Sequence, residues 1–406
     1  MFGSIKKPKI DTDLVKINEL LTRGVEEIFI RKNLEEKLKS GKQLRVKLGI
    51  DPTGPKIHIG RAIVLRKLRA FQDLGHKIVL IVGDFTARIG DSSDKLDKRP
   101  MLSEKNIKEN LENYKEQVGK VINLRNTEFH YNSRWLYKLG FAEISELAES
   151  FSVQQMSSRR NFKDRLEKGD EISLREFLYP LMQGYDSVAV KADVELGGFD
   201  QLFNIKAGRI IQKHYGQKEQ DILATQMLEG TDGRKMSTSW GNVINITDDS
   251  SDMFGKVMSI RDELITKYFL LCTNVSEQEI ENMKKNMEEG ANPRDFKIRL
   301  AKEIVNIYHS QSEAQKAAEN FENTFKKGGI PDDLKEVKIT KGAFLVDVLL
   351  SQKLVESKSE FRRLVGEGAV TDMNSGQKIS DPHFSISGTS VYKIGAKRFI
   401  KITVNE

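Results

Sequence analysis

The sequence predicts an α/β protein: a parallel-sheet domain with a helical insertion, then an all-α domain and a small α+β unit. Three observations lead there. The segment Leu44-Arg-Val-Lys-Leu-Gly-Ile50 alternates apolar and polar residues as a half-buried strand does. Ala62, Ile63, Leu65, Leu68 and Phe71 then fall at helical spacing, and the aliphatic run Ile78–Val82 reads as a second strand. Strand, helix, strand in that order makes a βαβ unit with a parallel sheet.

The other elements follow along the chain. Residues 14–40 read as one helix, with Leu20, Leu21, Ile28 and Leu34 among charged neighbours and Gly41 as its stop. Asp51-Pro-Thr-Gly-Pro55 is turn-rich, Gly75 ends the second helix, and residues 83–99 form a loop. Residues 105–180 read as a mainly helical insertion, and strand-like signals return at 188–196. Residues 252–325 read as helices, with Asn292-Pro293 as an N-cap followed by proline at the first helical position. Breakers crowd Lys326-Lys-Gly-Gly-Ile-Pro331. The expected boundaries are an α/β domain 1–245, a helical domain 246–330, a linker 331–339 and a small mixed domain 340–406.

At 406 residues the chain exceeds a single ordinary core, since domains average about 150 residues. Its 66 basic and 59 acidic residues leave +7, too small an excess to establish a nucleic-acid partner. The single cysteine, Cys272, excludes an internal disulfide and a multi-cysteine metal cage, and fits a reducing cytoplasm. The opening Met1–Asp13 lacks an apolar signal core, and Ile78–Val82 is too short to span a bilayer, so no membrane role is expected.

Chemistry is expected beyond the carboxyl ends of the parallel strands. There the loop Asp51–Gly60 runs straight into a helix, whose exposed N–H groups and positive dipole end attract phosphate. Thr53 and His58 suit donation to phosphoryl oxygens, and Gly60 permits close backbone approach. A second loop, Thr231-Asp-Gly-Arg-Lys-Met-Ser-Thr-Ser239, is glycine-hinged, basic and rich in hydroxyls. A lysine on such a loop suits a leaving pyrophosphate.

Together the two loops resemble the paired signatures of class I aminoacyl-tRNA synthetases, HIGH and KMSKS. Here they stand as His58-Ile-Gly-Arg61 and Lys235-Met-Ser-Thr-Ser239. Tyr179-Pro-Leu-Met-Gln183-Gly-Tyr-Asp186 resembles the tyrosine-recognition helix of tyrosyl-tRNA synthetases. Gly197-Gly-Phe-Asp-Gln201 resembles their substrate loop, with Phe199 where the residue is often small. Asn292–Lys297 and Val153–Arg165 resemble one bacterial subgroup, and Ser357–Val365 with Gly368-Ala-Val370 looks like its S-four-type RNA-binding tail.

The resemblance implies a Rossmann-like catalytic domain that joins L-tyrosine to tRNA(Tyr) through a tyrosyl-adenylate, using ATP with Mg²⁺. It implies Thr53, His58 and Lys235 as catalytic groups. The ATP positions are Gly49, Asp51, Gly60, Arg61, Gly198, Asp200, Met236, Ser237 and Thr238, with Asp200 at the ribose. The tyrosine positions are Lys47, Asp91, Tyr179, Gln183, Asp186 and Gln201. Tyr179, Gln183 and Asp186 also share one helix face by their i, i+4, i+7 spacing, and Asp186 can accept from a phenolic O–H. A homodimer through the 105–180 insertion, anticodon contact by the helical domain and RNA contact by Arg362 and Arg363 are implied in the same way.

Two positions depart from the family pattern. Arg61 stands where His or Asn is usual, and Thr238 replaces a second lysine, so one phosphate cation is missing from its usual place. Arg61, Arg234 or the basic loop Lys95–Arg99 is expected to replace it in part. Ser357 and Glu360 have the spacing of a capping box, and the tail's ten basic and seven acidic residues leave +3. Three other readings share parts of the pattern: a small-molecule nucleotidyltransferase, a tryptophanyl-type enzyme, and an RNA-binding relative with a decayed site.

Overall fold

The computed structural model describes residues 9–91, 102–326, 334–395 and 398–405. They fall into two compact units that divide between Ser310 and Gln311.

The first unit is built on a six-stranded sheet: β1 (Val25–Phe29), β2 (Arg45–Ile50), β3 (Lys77–Val82), β4 (Thr127–Tyr131), β5 (Val194–Gly198) and β6 (Asp221–Thr225). Its order is β1-β6-β5-β2-β3-β4, with every pairing parallel except β1 against β6. The chain therefore winds outward in both directions from β2 and β5. A ligand crevice opens at the carboxyl ends of two strands where the winding reverses in this way. The predicted βαβ unit is present as β2, the helix Ile59–Asp73 and β3. Ala62, Leu65, Leu68 and Phe71 are completely buried, as their spacing predicts.

Two sequence expectations change, and one strand is unexpected. The single helix over 14–40 is two helices, Leu14–Thr22 and Arg31–Lys39, around β1. Gly24, at φ +63°, makes the turn between the first helix and that strand. The segment 105–180 is mainly helical but also supplies β4 to the sheet edge, and the recognition helix Leu174–Val190 runs past its end into the expected strand signals at 188–196. Burial on both faces hides β6 from an alternation test, since all five of its residues are buried.

The helices from Ser250 to Tyr308 pack into this same compact unit. Arg23 shows why: its guanidinium donates to the carbonyls of Leu270, Phe269, Thr273 and Val275, capping the carboxyl end of the helix Ile265–Cys272. Asn292 caps the helix Pro293–Tyr308 as expected.

The second unit holds the helix Gln311–Lys326 and a four-stranded sheet of β7 (Glu336–Thr340), β8 (Val370–Asp372), β9 (Ser390–Ile394) and β10 (Arg398–Asn405), ordered β7-β10-β9-β8. Helices Leu345–Ser351 and Lys358–Gly366 complete a core that includes Leu345, Leu349, Phe361, Ile394, Ile400 and Ile402. The expected linker 331–339 overlaps β7; its residues 331–333 lie outside the described residues. Only half of the expected capping box forms. Ser357 accepts from the Glu360 N–H, but the Glu360 carboxylate turns to the Glu356 N–H and Arg398.

Candidate active site

A cleft of about 430 Å³ opens at the carboxyl ends of β2 and β5. Its first wall is the loop from Asp51 to His58. Buried Gln117 fixes this loop from behind, accepting from Ile57 N at 2.8 Å and donating to Pro55 O at 2.7 Å. His58 is the N-cap of the helix Ile59–Asp73, its Nδ1 accepting from Arg61 N at 3.3 Å. Burial, with the Arg61 and Lys235 cations adding to it, pushes the His58 imidazole down to about 3. It is therefore neutral, and with Nδ1 accepting, its proton sits on Nε2 as a donor. A Cβ on Gly60 would lie 3.1 Å from His58 Nδ1 and 3.3 Å from Met236 Sδ, so glycine lets the two signature loops meet here. Arg61 Nη2 donates to Thr53 Oγ1 at 2.7 Å, which places a fixed cation beside that hydroxyl.

The second loop is held by Asn242. Its Nδ2 donates to Asp232 Oδ1 at 2.7 Å and to Lys235 O at 3.1 Å, while its Oδ1 accepts from Ser237 N at 2.9 Å. Met236, Ser237 and Thr238 line the cleft, and Lys235 Nζ lies 2.8 Å from Asp200 Oδ2. Of the expected replacement cations, Arg234 is clasped by Asp232 and stacked on Trp240 at 4.8 Å, away from the cleft lining. Lys95–Arg99 lies outside the described residues. Among the described candidates, Arg61 is the one that lines the cleft.

The far end is lined by the helix Leu174–Val190, which starts in a full capping box of Ser173 and Glu176. Tyr179 Oη donates to Asp51 Oδ2 at 2.8 Å, and Thr86 Oγ1 donates to Asp51 Oδ1 at 2.6 Å. A Cβ on Gly83 would fall 2.0 Å from Asp51 Oδ1, so only glycine fits beneath this pair. Gln201 Nε2 donates to Asp91 Oδ2 at 2.8 Å. Asp186 is buried and accepts from Trp135 Nε1 at 2.7 Å and Asn132 Nδ2 at 3.3 Å. Burial pushes its carboxyl up to about 7, against the pull of Lys47 and the two donors.

The cleft thus gathers the predicted positions Gly49, Asp51, Thr53, His58, Gly60, Arg61, Gly198, Asp200 and Lys235–Thr238. It gathers Asp91, Tyr179, Gln183, Asp186 and Gln201 with them. Lys47 is the exception. It lies on β2 two residues below Gly49, is completely buried, and spends its ammonium on Glu195, Ser187 and the Gln183 carbonyl. It supports the floor instead of lining it. Arg362 and Arg363 are exposed on a helix of the second unit.

Comparison with known proteins bears on this geometry. Residues 39–326 match the model of the class I tRNA synthetases of the tryptophanyl and tyrosyl group. The tyrosine–tRNA ligase of Thermotoga maritima is 45% identical over 392 residues, covering 96% of this chain and 97% of that one. The ligase of Carboxydothermus hydrogenoformans is 46% identical, covering 95% and 97%. This chain belongs to the tyrosyl-tRNA synthetase family. Solved tyrosyl-tRNA synthetases share its fold at lower identity. The truncated mitochondrial enzyme of Aspergillus nidulans aligns at TM-score 0.64 and 22% identity, covering 76% of this chain and 94% of that one. The Archaeoglobus fulgidus enzyme, solved with L-tyrosine, aligns at 0.60 and 20%, covering 75% and 100%.

Within this tyrosyl-tRNA synthetase fold, several polar residues that sequence reasoning missed hold the site together: Gln117 behind the first loop, Asn242 within the second, and Asn132 and Trp135 on Asp186. Each is a lone residue without a spacing pattern. Trp135 carried the best available signal, since a buried indole N–H needs an acceptor.

Proposed function

We propose that the chain activates L-tyrosine with MgATP and transfers it to tRNA(Tyr). One observation carries this reading: a buried carboxylate with two neutral donors, Asp186, closes one end of a cleft whose other end is a helix N-terminus flanked by Arg61, His58 and Lys235. The first end suits a phenol and the second a polyphosphate. The tyrosine O–H donates to Asp186, and the α-ammonium meets acceptors from Asp91, Tyr179, Gln183 and Gln201. The tyrosine carboxylate then lies toward the α-phosphate of ATP.

In-line attack gives tyrosyl-adenylate and pyrophosphate. The attacking group is already an anion, so no protein base is needed and the protein contributes position and charge. Thr53 Oγ1 and His58 Nε2–H meet phosphoryl oxygens, Arg61 and Lys235 meet the departing pyrophosphate, and Asp200 holds the ribose. Gly49, Asp51, Gly60 and Gly198 shape the nucleotide pocket, and Mg²⁺ enters with its substrate ATP. The terminal ribose hydroxyl of the tRNA then attacks the adenylate carbonyl and AMP leaves.

The second unit, with Arg362 and Arg363 exposed, takes the role of RNA contact, and the helices after Ser250 that of the anticodon region. Tyr137, Phe141, Val153, Leu166 and Leu174 expose large apolar side chains within residues 137–174, which favours a homodimer through that stretch of chain. A reducing cytoplasm suits the buried free thiol of Cys272, and no described helix is long and apolar enough to cross a membrane. The test is charging of tRNA(Tyr) transcript with labelled tyrosine. Tyrosine esterified to the 3′ end supports the reading, and adenylate formation without transfer removes the RNA half of it.

A further inference from the structure

Beneath the amino-acid end of the cleft lies a closed polar network. Lys47 on β2 and Glu195 on β5 are register partners on adjacent strands, both completely buried, with Nζ 2.9 Å from Oε1. Lys47 also donates to Ser187 Oγ and to the Gln183 carbonyl, each at 2.8 Å. Glu195 Oε1 accepts from Gln183 Nε2 at 3.0 Å, and Oε2 accepts from Ser187 Oγ at 3.0 Å and from Gln220 Nε2. A buried ion pair is weak evidence for stability, because well-packed apolar residues often serve as well. The network's partners suggest what else it does.

A carboxylate paired with an ammonium only accepts hydrogen bonds. Of the two ends of the Gln183 amide, only the NH₂ can therefore face Glu195. Gln183 lines the cleft, so its Oε1 is the end left for a ligand. An ammonium group has three donors and no acceptor, so it binds Oε1 and is refused by an NH₂. Lys47 holds the same residue by its backbone, and the amide cannot turn over without leaving Glu195 opposite a second acceptor.

We propose that Glu195 is a positioning residue for substrate recognition: with Lys47 it sets the Gln183 amide so that the cleft offers an oxygen to the α-ammonium of the amino acid. This rests on the tyrosine reading above. Glu195 touches no substrate and acts through Gln183.

The test compares binding of L-tyrosine, tyramine and 3-(4-hydroxyphenyl)propionate by calorimetry. The last keeps the phenol and carboxylate but lacks the ammonium. Glu195→Met, which removes the acceptor, is expected to weaken tyrosine and tyramine by about tenfold, the worth of one charge-assisted hydrogen bond, and to leave the propionate unchanged. In pyrophosphate exchange the tyrosine KM rises while the ATP KM stays. The swapped variant Glu195→Gln/Gln183→Glu restores an acceptor to the cleft and brings tyramine back within about threefold of the original protein. Equal weakening of all three ligands, or none, overturns the proposal. If the single variant does not fold, the swap decides: tyramine still about tenfold weak overturns it. An unsubstituted protein that binds none of the three phenols overturns the tyrosine reading itself.

Discussion

Lys235 Nζ lies 2.8 Å from Asp200 Oδ2, so the cation of the second signature loop is tied to the carboxylate that follows β5. Both side chains are partly exposed, at 32% and 24%, and the pair can open to a ligand at modest cost. A nucleotide that places its ribose on Asp200 and its phosphates on Lys235 engages both halves at once. Lys235→Met is therefore expected to slow adenylate formation by about 100-fold or more, the usual cost of one preorganised charge-stabilising donor. Tyrosine affinity should not move, because Asp186 is untouched. Single-turnover formation of the adenylate, with tyrosine binding measured beside it, checks both parts.

Under the proposed function, Arg61 takes the place of the cation that Thr238 lacks. Its guanidinium is held on Thr53 Oγ1 and lines the cleft, whereas Arg234 is spent on Asp232. Arg61→His should lower the activation rate by about tenfold or more and weaken pyrophosphate in the reverse reaction. Adding Thr238→Lys should recover part of that loss. Unchanged pyrophosphate dependence in both variants would remove Arg61 from the phosphate site.

Trp135 aims a neutral donor at the carboxylate expected to read the phenol. Trp135→Phe keeps the ring but drops the 2.7 Å hydrogen bond to Asp186. The tyrosine KM should rise by about tenfold, and selectivity over phenylalanine should fall with it. Steady-state pyrophosphate exchange with the two amino acids gives the ratio.

Under the proposed function, Asp186 ties recognition to pH. Its carboxyl is pushed up to about 7, so kcat/KM for tyrosine should fall as pH drops from 8 to 6 and the acceptor protonates. The stability effect has the opposite sense. Between the ordinary carboxyl range and about 7 the folded chain holds a proton that the unfolded chain has released, so this group's contribution to stability declines as pH rises. Asp186→Asn should abolish activation yet melt about 2–4 °C above the original protein at pH 8. That gain should shrink at pH 5, and paired thermal melts at the two pH values decide it.

The tail makes a separable prediction. Replacing Arg362 and Arg363 with alanine should raise the tRNA KM in charging and reduce its salt slope by about one for each phosphate that an arginine no longer neutralises. Tyrosine-dependent pyrophosphate exchange should be unchanged.

Local signals made much of this legible. The alternation of Leu44–Ile50 and the helical spacing from Ala62 to Phe71 located the βαβ unit and the loop between. The i, i+4, i+7 placement of Tyr179, Gln183 and Asp186 put three site residues on one face. What escaped were features with no local period. β1 hides between two helices whose apolar residues continue through it, and β4 is a short edge strand inside a helical region. Glu195 and Lys47 sit 148 positions apart in sequence and become neighbours only when β2 pairs with β5. The packing of the later helices has the same origin, since the Arg23 hydrogen bonds that hold them to the α/β part span some 250 residues.

Pyrophosphate exchange into ATP, with tyrosine, tryptophan and phenylalanine supplied one at a time, tests the reading of the cleft most directly. The geometry around Asp186 predicts exchange that depends on tyrosine and is negligible with the other two. Exchange that proceeds equally without tyrosine, or that prefers tryptophan, would contradict it.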